Sequence, residues 1–312
     1  MKKSIDYKYI YGPVPSRRLG LSLGISPIPQ KTCNYSCVYC QLGNTTKMVN
    51  ERKSFYPVED ILSELSQYLS SGYDFDAITL VGEGEPTLYK DLGKLIQGIK
   101  GLVKDKPIVV ITNGALMYQE DVKEDLMKPD IVMPSLDYYD EASFKRINRH
   151  HKDLSFEKVY QGLCSFSKEY QGQLWLEIMI VKGYNDTEEE IRKIKALSDN
   201  IRFDKLYVNT PIRPPAEKSA EAIGSVAMES ATSILGGVSI DKLVSEGFSS
   251  GIESDYDAIL SIIRRHPMNQ YEILSFLKGR KAKFPDRLLK KMNQDEKIMK
   301  LPYMNYITYR IK

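Results

Sequence analysis

Ala77-Ile-Thr-Leu-Val81-Gly82-Glu83-Gly84-Glu85-Pro86 is a short apolar run that stops in a glycine turn. Apolar and β-branched residues bounded by Gly and Pro carry the pattern of a buried strand. Residues 108–111 (Ile-Val-Val-Ile) repeat the pattern and end in Thr112-Asn113-Gly114. Residues 130–134 end at Ser135-Leu136-Asp137, and residues 174–181 and 205–208 continue the series. A further strand is expected around residues 21–28. Helical patterns lie between the strands. Val58, Ile61, Leu62, Leu65 and Leu69 keep an i, i+3, i+4, i+7 spacing. Residues 156–170 and 188–197 are also amphipathic, the second opened by Asn185-Asp186-Thr187. Alternating strands and helices predict a parallel sheet with helices outside. About six such units make an α/β fold, a partial (β/α)6 TIM-like barrel. Ligands in such sheets sit at the C-terminal strand ends, where this chain carries its polar and glycine residues.

The chain has 312 residues, enough for one large domain or a domain with a small companion. Apolar residues make up 42% and charged residues 27%, as in ordinary globular proteins. No run approaches the roughly 20 apolar residues of a membrane span. Met-Lys-Lys-Ser-Ile-Asp at the N-terminus leads into no apolar run, so it does not read as a signal peptide. A cytoplasmic location is expected, with no membrane partner.

Upstream of the glycine turn lies Cys33-Asn-Tyr-Ser-Cys37-Val-Tyr39-Cys40, a C-x3-C-x2-C spacing. A disulfide framework would spread its cysteines along the chain; here three of four share one loop. Three thiolates can ligate three corners of an iron–sulfur cube that is normally held by four. One iron then stays open, as one position stays open in catalytic zinc sites. A zinc knuckle is the alternative, but it needs a fourth Cys or His at short spacing. His150 and His151 are distant in the chain. Cys164 falls in the amphipathic 156–170 pattern and reads as a small core residue.

With Tyr39 in the aromatic position, C-x3-C-x-aromatic-C resembles the signature of radical S-adenosylmethionine (SAM) enzymes. The resemblance implies a [4Fe–4S] cluster on Cys33, Cys37 and Cys40 whose open iron chelates the amino and carboxylate groups of SAM. It implies reductive cleavage of SAM to a 5′-deoxyadenosyl radical that abstracts hydrogen from a substrate. By the same resemblance the turn matches a Gly-Gly-Glu-Pro element. Gly84 and Glu85 then serve the methionyl amino group, Gly82 helps the turn, and Tyr39 packs near the adenine. Glu83 reads as a solvated neighbour. Thr112, Asn113, Ser135 and Asp137 suit the ribose hydroxyls or the methionyl carboxylate, although ordinary strand-end turns use the same residues. Val181 suits the adenine or the core equally.

Tyr11-Gly12-Pro13-Val14-Pro15-Ser16-Arg17-Arg18 precedes the cysteines. Arg17 and Arg18 are candidates for binding an anionic substrate or the SAM carboxylate. Arg149, within Arg146-Ile-Asn148-Arg149-His150-His151, is another candidate. Asn209 and Arg213, in Asn209-Thr-Pro-Ile-Arg213-Pro-Pro, end the last barrel strand and should face its cavity. Over most of residues 8–217 these segments resemble a stand-alone radical SAM group related in its core to the tRNA wybutosine-synthesizing enzymes. The sequence shows neither a flavodoxin domain nor the C-terminal extension of those enzymes, which counts against tRNA tricycle formation as the expected reaction. Electrons are then expected from a separate flavodoxin or ferredoxin.

Residues 1–235 are expected to form the radical SAM core, 236–252 a linker and 253–312 a small winged-helix domain. Helical patterns at 256–265, 270–277 and 286–292, followed by strand-like runs at 298–300 and 306–311, carry the last expectation. Net charge is +3 overall, yet residues 253–312 hold 13 Lys and Arg against 7 Asp and Glu. Lys278, Arg280, Lys281, Lys283, Arg287, Lys290 and Lys291 could neutralise phosphates. Three roles stay open for this domain: nucleic-acid binding, a packing cap, and peptide recognition by strand addition. A second functional class is an iron–sulfur, DNA-binding redox regulator without turnover. The Gly-Glu-Pro element argues against it, because a sensor has no need to bind SAM.

Overall fold

Apolar runs become strands here because each is covered on both faces, and nearly all are parallel. The structure, a computed structural model, describes residues 7–240 and 247–312. The charged stretch 1–6 and residues 241–246 of the expected linker lie outside the described residues. In chain order the first elements are β1 (Ile10–Ser16), β2 (Gly20–Ile25), the two-residue strands β3 (Thr32–Cys33) and β4 (Lys47–Met48), and α1 (Val58–Leu69). The repeating units follow: β5 (Ala77–Leu80), α2 (Leu92–Leu102), β6 (Ile108–Thr112), α3 (Glu120–Leu126) and β7 (Ile131–Pro134). After α4 (Glu141–Asn148) and α5 (Phe156–Glu169) come β8 (Gln173–Met179), α6 (Glu188–Ser198), β9 (Lys205–Asn209), α7 (Ser225–Leu235) and β10 (Val238–Ser239).

The main sheet has the order β1-β2-β5-β6-β7-β8-β9-β10. From β2 onward all pairings are parallel, and only β1 runs antiparallel. The six expected strands are all present, in an α/β fold with a mostly parallel sheet, as in a radical SAM partial barrel. Two strands of this sheet were not expected. The segment around Gly12-Pro13 reads as a turn, yet it forms β1. Its register slips between Tyr11 and Val14, where Gly12 takes φ +90°. An edge strand tolerates such a bulge and a proline without an N–H. Residues 236–240 read as linker, yet β10 extends the sheet beside β9. Two residues are too few to show a strand period in the sequence.

Local sequence explains the helix starts. Asp140 and Ser143 cap α4 reciprocally, and Thr187 and Glu190 do the same for α6. Of Asn185-Asp186-Thr187, expected to open α6, Thr187 is the cap, while Asn185 is buried and its side chain bonds Val181, Asp137 and Met179 backbone atoms.

The C-terminal unit contains α8 (Asp255–Arg265), β11 (Met268–Asn269), α9 (Gln270–Gly279), α10 (Pro285–Gln294), β12 (Ile298–Tyr303) and β13 (Tyr306–Ile311). Its small antiparallel sheet has the order β11-β13-β12. The helices and hairpin match the sequence pattern. Ile259, Ile262, Met268 and Phe276 share one apolar core with Ile25, Leu80 and Val110 of the barrel. Among the described residues, no helix is long and apolar enough to cross a membrane.

Candidate functional site

Parallel strands bring every C-terminal strand end to one side, and the cysteine loop leaves β2 at that side. The loop is clamped twice. The turn after β5 holds its start: the Lys31 amide donates to the Glu83 carbonyl at 2.6 Å, and the Glu85 amide to the Thr32 carbonyl at 3.2 Å. Gly84 permits this approach, because an added Cβ would overlap the Thr32 carbonyl. The end of α4 grips the rest. Amides of Ser36, Val38 and His151 donate to carbonyls of Asn148, Ile147 and Asn34 at 2.8–2.9 Å.

Two buried carboxylates tie the strand ends to this loop. Glu85 accepts from the Thr87 hydroxyl (2.6 Å) and amide (3.0 Å), the Thr112 hydroxyl (2.6 Å) and the Asn113 amide (2.8 Å). Burial pushes its pKa up, although these donors pull it down. The Asn113 side chain donates to Asn34 Oδ1 at 2.7 Å and lies 3.7 Å from Cys33 Sγ. Asp137 is 1% exposed. It accepts from the Tyr39 hydroxyl, the Met179 amide (2.8 Å) and Asn148 Nδ2 (3.2 Å). Burial raises its pKa to about 6 despite those bonds. Ser135 pairs its backbone with Glu177. Val181 is buried with Val38 and Ala220, with Tyr39 packed against them.

Asp137 gives a test on the cluster-free protein. A carboxyl whose pKa rises on folding binds its proton more tightly in the folded state. Its stabilisation is complete below about pH 4 and is lost as pH rises through about 6. Asp137→Asn should flatten that part of the urea-denaturation profile by up to about 3 kcal/mol between roughly pH 4 and 7. An unchanged slope would mean that Asp137 ionises as it does in the unfolded chain.

A cavity of about 380 Å³ opens beside the loop. Cys37, Tyr39 and Cys40 line one part, and Gly82, Glu177 and Asn209 bring in strand ends. Arg17, Arg18 and Arg213 also line it. Arg18 Nη1 lies 2.6 Å from Glu177 Oε2, an ion pair without hydrogen-bond alignment. Asn209 Nδ2 donates to the other Glu177 oxygen at 3.1 Å, and Arg17 donates to the Ile240 carbonyl at 3.3 Å. Arg213 donates to the Pro267 carbonyl (2.6 Å), pairs with Glu272 (3.1 Å) and meets His266 Nε2 (2.8 Å). That bonding joins the barrel to the C-terminal unit.

Two expectations are corrected. Arg149 does not line the cavity: at φ 47° it ends α4 and pairs with Glu217 at 2.5 Å. Its neighbour Asn148 is the residue that faces the loop, with Nδ2 3.4 Å from Cys37 Sγ. Glu83 is not solvated. It is 7% exposed and pairs with Arg265 of α8 at 3.2 Å. Glu177, Asn148, Arg265 and His266 were missed by sequence reasoning. Only Glu177 carried a signal, as the one acid in the apolar run Leu-Trp-Leu-Glu-Ile-Met-Ile-Val.

Cys33, Cys37 and Cys40 are free and partly exposed. Burial raises all three thiol pKa values, Cys37 to about 12, helped by neighbouring thiols at Cys33 and Cys37. Neutral thiols must therefore lose protons when a metal binds. The Tyr35 amide and Asn148 Nδ2 point at Cys33 and Cys37 sulfurs at 3.4 Å, as N–H groups that tune thiolate clusters do. Among the described residues, no three Cys, His, Asp or Glu side chains converge as one metal ion would need. Three cysteine sulfurs in one clamped loop, two of them facing N–H groups, have the donor chemistry of an iron–sulfur cluster.

The profile of the radical SAM superfamily matches residues 28–194. The chain belongs to the radical SAM superfamily. It is 38% identical to the UPF0026 protein of Methanocaldococcus jannaschii over 96% of this chain and 94% of that protein. It is also 40% identical over 230 residues to a protein named GTPase Obg from Brachyspira hyodysenteriae, covering 74% of this chain and 34% of that one. The chain thus spans about a third of that relative's length. The structure of TYW1 with a lysine-pyruvate adduct bound has TM-score 0.55 and 20% identity, over 70% of this chain and 74% of the other, a likeness of fold. Members of the superfamily are enzymes that use a [4Fe–4S] cluster and SAM, generally with flavodoxin or ferredoxin as electron donor.

Proposed function

We propose that Cys33, Cys37 and Cys40 hold a [4Fe–4S] cluster, that SAM binds beside it across the strand ends, and that the chain takes hydrogen from a substrate bearing an anionic group. Three free thiols beside a cavity ringed by strand ends carry this proposal. When bound, the cluster and SAM supply one-electron cleavage and a 5′-deoxyadenosyl radical. The chain's own residues bind and orient. Tyr39, fixed by Asp137, offers its ring to the adenine, beside Val181. Gly82 leaves backbone open to the ligand. Glu85 acts as a positioning residue through Thr112 and Asn113, and the Gly84 carbonyl and Ser135 complete the rim. Arg17 and Arg18 face the substrate together with Asn209. Arg17 and Arg18 on the cavity wall offer guanidinium donors to a phosphate or carboxylate on that substrate.

Residues 253–312 form, in this proposal, a winged-helix domain that walls the cavity. Arg265 and His266 line it. Arg280, expected to face phosphates, turns inward to Asp255 (2.6 Å) and the Ser250 and Ile252 carbonyls. Lys291 Nζ sits 3.6 Å from the Tyr256 ring centroid. These contacts favour the cap over nucleic-acid or peptide binding.

Anaerobic reconstitution with iron and sulfide, then dithionite and SAM, tests the central claim. 5′-Deoxyadenosine should form, and SAM should alter the EPR spectrum of the reduced cluster. Absence of both would overturn it.

A further inference from the structure

The C-terminal unit also reaches the cysteine loop from its last strand. Arg310 on β13 is 7% exposed. Its Nη1 donates to the Gln41 carbonyl at 2.9 Å, one residue past Cys40. Its guanidinium covers Gly43, where an added Cβ would meet Nη2, Cζ and Nη1 at 3.3–3.5 Å. The Gly43 amide in turn donates to the Cys40 carbonyl at 3.0 Å. Arg310 and the turn after Cys40 are therefore one packed unit.

The charge of Arg310 has no local answer. Among the described residues no carboxylate pairs with it, and its buried Nε has no acceptor. A guanidinium taken from water without a counter-charge is costly. The guanidinium instead lies against the turn that begins at Cys40, on the Gln41 carbonyl and over Gly43.

We propose that Arg310 is the counter-charge of the cluster, holding it on its thiolates and raising its reduction potential. The proposal rests on the cluster assignment above. Three thiolates make a [4Fe–4S] cluster net negative, and one electron from the donor makes it more so, with no proton moved. A fixed positive charge nearby stabilises the reduced form more than the oxidised form. The C-terminal strand thereby sets how readily the barrel accepts its electron. Arg310 is a positioning residue, since it contacts the cluster loop and neither substrate nor SAM.

The test uses the full chain reconstituted without SAM. Iron and sulfide content and an EPR-monitored redox titration are compared for wild type, Arg310→Gln and Arg310→Lys. The Gln variant should shift to lower potential, its reduced-to-oxidised ratio at the wild-type midpoint falling on the order of tenfold. The Lys variant should keep most of the wild-type potential. Iron lost from Gln but retained by Lys also supports the proposal, because charge then governs binding. Equal potentials in wild type and Gln would overturn it, as would equal iron loss from both variants. A wild-type chain that takes up no cluster overturns the underlying assignment instead.

Discussion

Cys37→Ala will leave the chain folded and will remove its chemistry. Cys37 is only partly buried, and Asn148 Nδ2 donates to its sulfur at 3.4 Å. Losing that bond costs about 1 kcal/mol, far less than the 5–15 kcal/mol that typically keeps a domain folded. Two remaining thiolates, Cys33 and Cys40, cannot hold a cube that normally needs four ligands. 5′-Deoxyadenosine formation should fall by at least about a thousandfold, beyond the 10–100-fold typical of an outer partner. Asn148→Ala supplies that smaller comparison, because Asn148 contacts Cys37 without being able to replace it. Cys164→Ala supplies the opposite one. Cys164 is buried in α5, so its loss should lower stability by about 1–2 kcal/mol and leave the iron content unchanged. Iron analysis, circular dichroism and product chromatography on all three variants separate these outcomes. Full iron content in Cys37→Ala would sink the three-cysteine assignment.

The contrast between Asn148 and Arg149 shows what the sequence could and could not convey. The alternation that produces the barrel was legible, because Ile108–Thr112 and Ala77–Leu80 are runs whose only stable place is a covered sheet. The cysteine spacing was legible because cluster chemistry needs those ligands close together. Charge pointed to Arg149, but a left-handed backbone at the end of α4 turns Arg149 to Glu217 and leaves Asn148 facing the loop. Nothing in the periodicity announces such a turn. Adjacent acids posed the same problem: Glu83 and Glu85 look alike in sequence, yet one meets α8 and the other meets Thr112. Arg265 and Arg310 were invisible for a different reason. Their partners lie 182 and 269 residues away, and no local pattern encodes a contact at that distance. The need for glycine at position 84 comes from the Thr32 carbonyl, a contact that no local pattern announces.

Arg265→Met should be the most destabilising single change outside the core, at about 3–5 kcal/mol. Arg265 is 3% exposed. It pairs with Glu83 at 3.2 Å, donates to the Lys8 carbonyl at 2.6 Å and lies 5.1 Å from the Tyr11 ring centroid. Methionine fills much of the same space, so the loss is electrostatic: Glu83 keeps its charge in a buried turn without a partner. Glu83→Gln in the same background removes that charge. The double variant should therefore recover at least about 1 kcal/mol relative to Arg265→Met, a coupling of the size expected for contacting residues. Urea denaturation of the cluster-free protein measures both values. A cost below about 1 kcal/mol for Arg265→Met would mean that water reaches the pair. The consequence extends past stability, because Glu83 belongs to the same turn as Gly84 and Glu85, and its carbonyl holds the start of the cysteine loop at Lys31. Loosening α8 should therefore raise the SAM concentration needed for half-maximal cleavage before it alters the iron content. Joint loss of SAM affinity and iron at mild destabilisation would instead mean that the whole loop unfolds with α8.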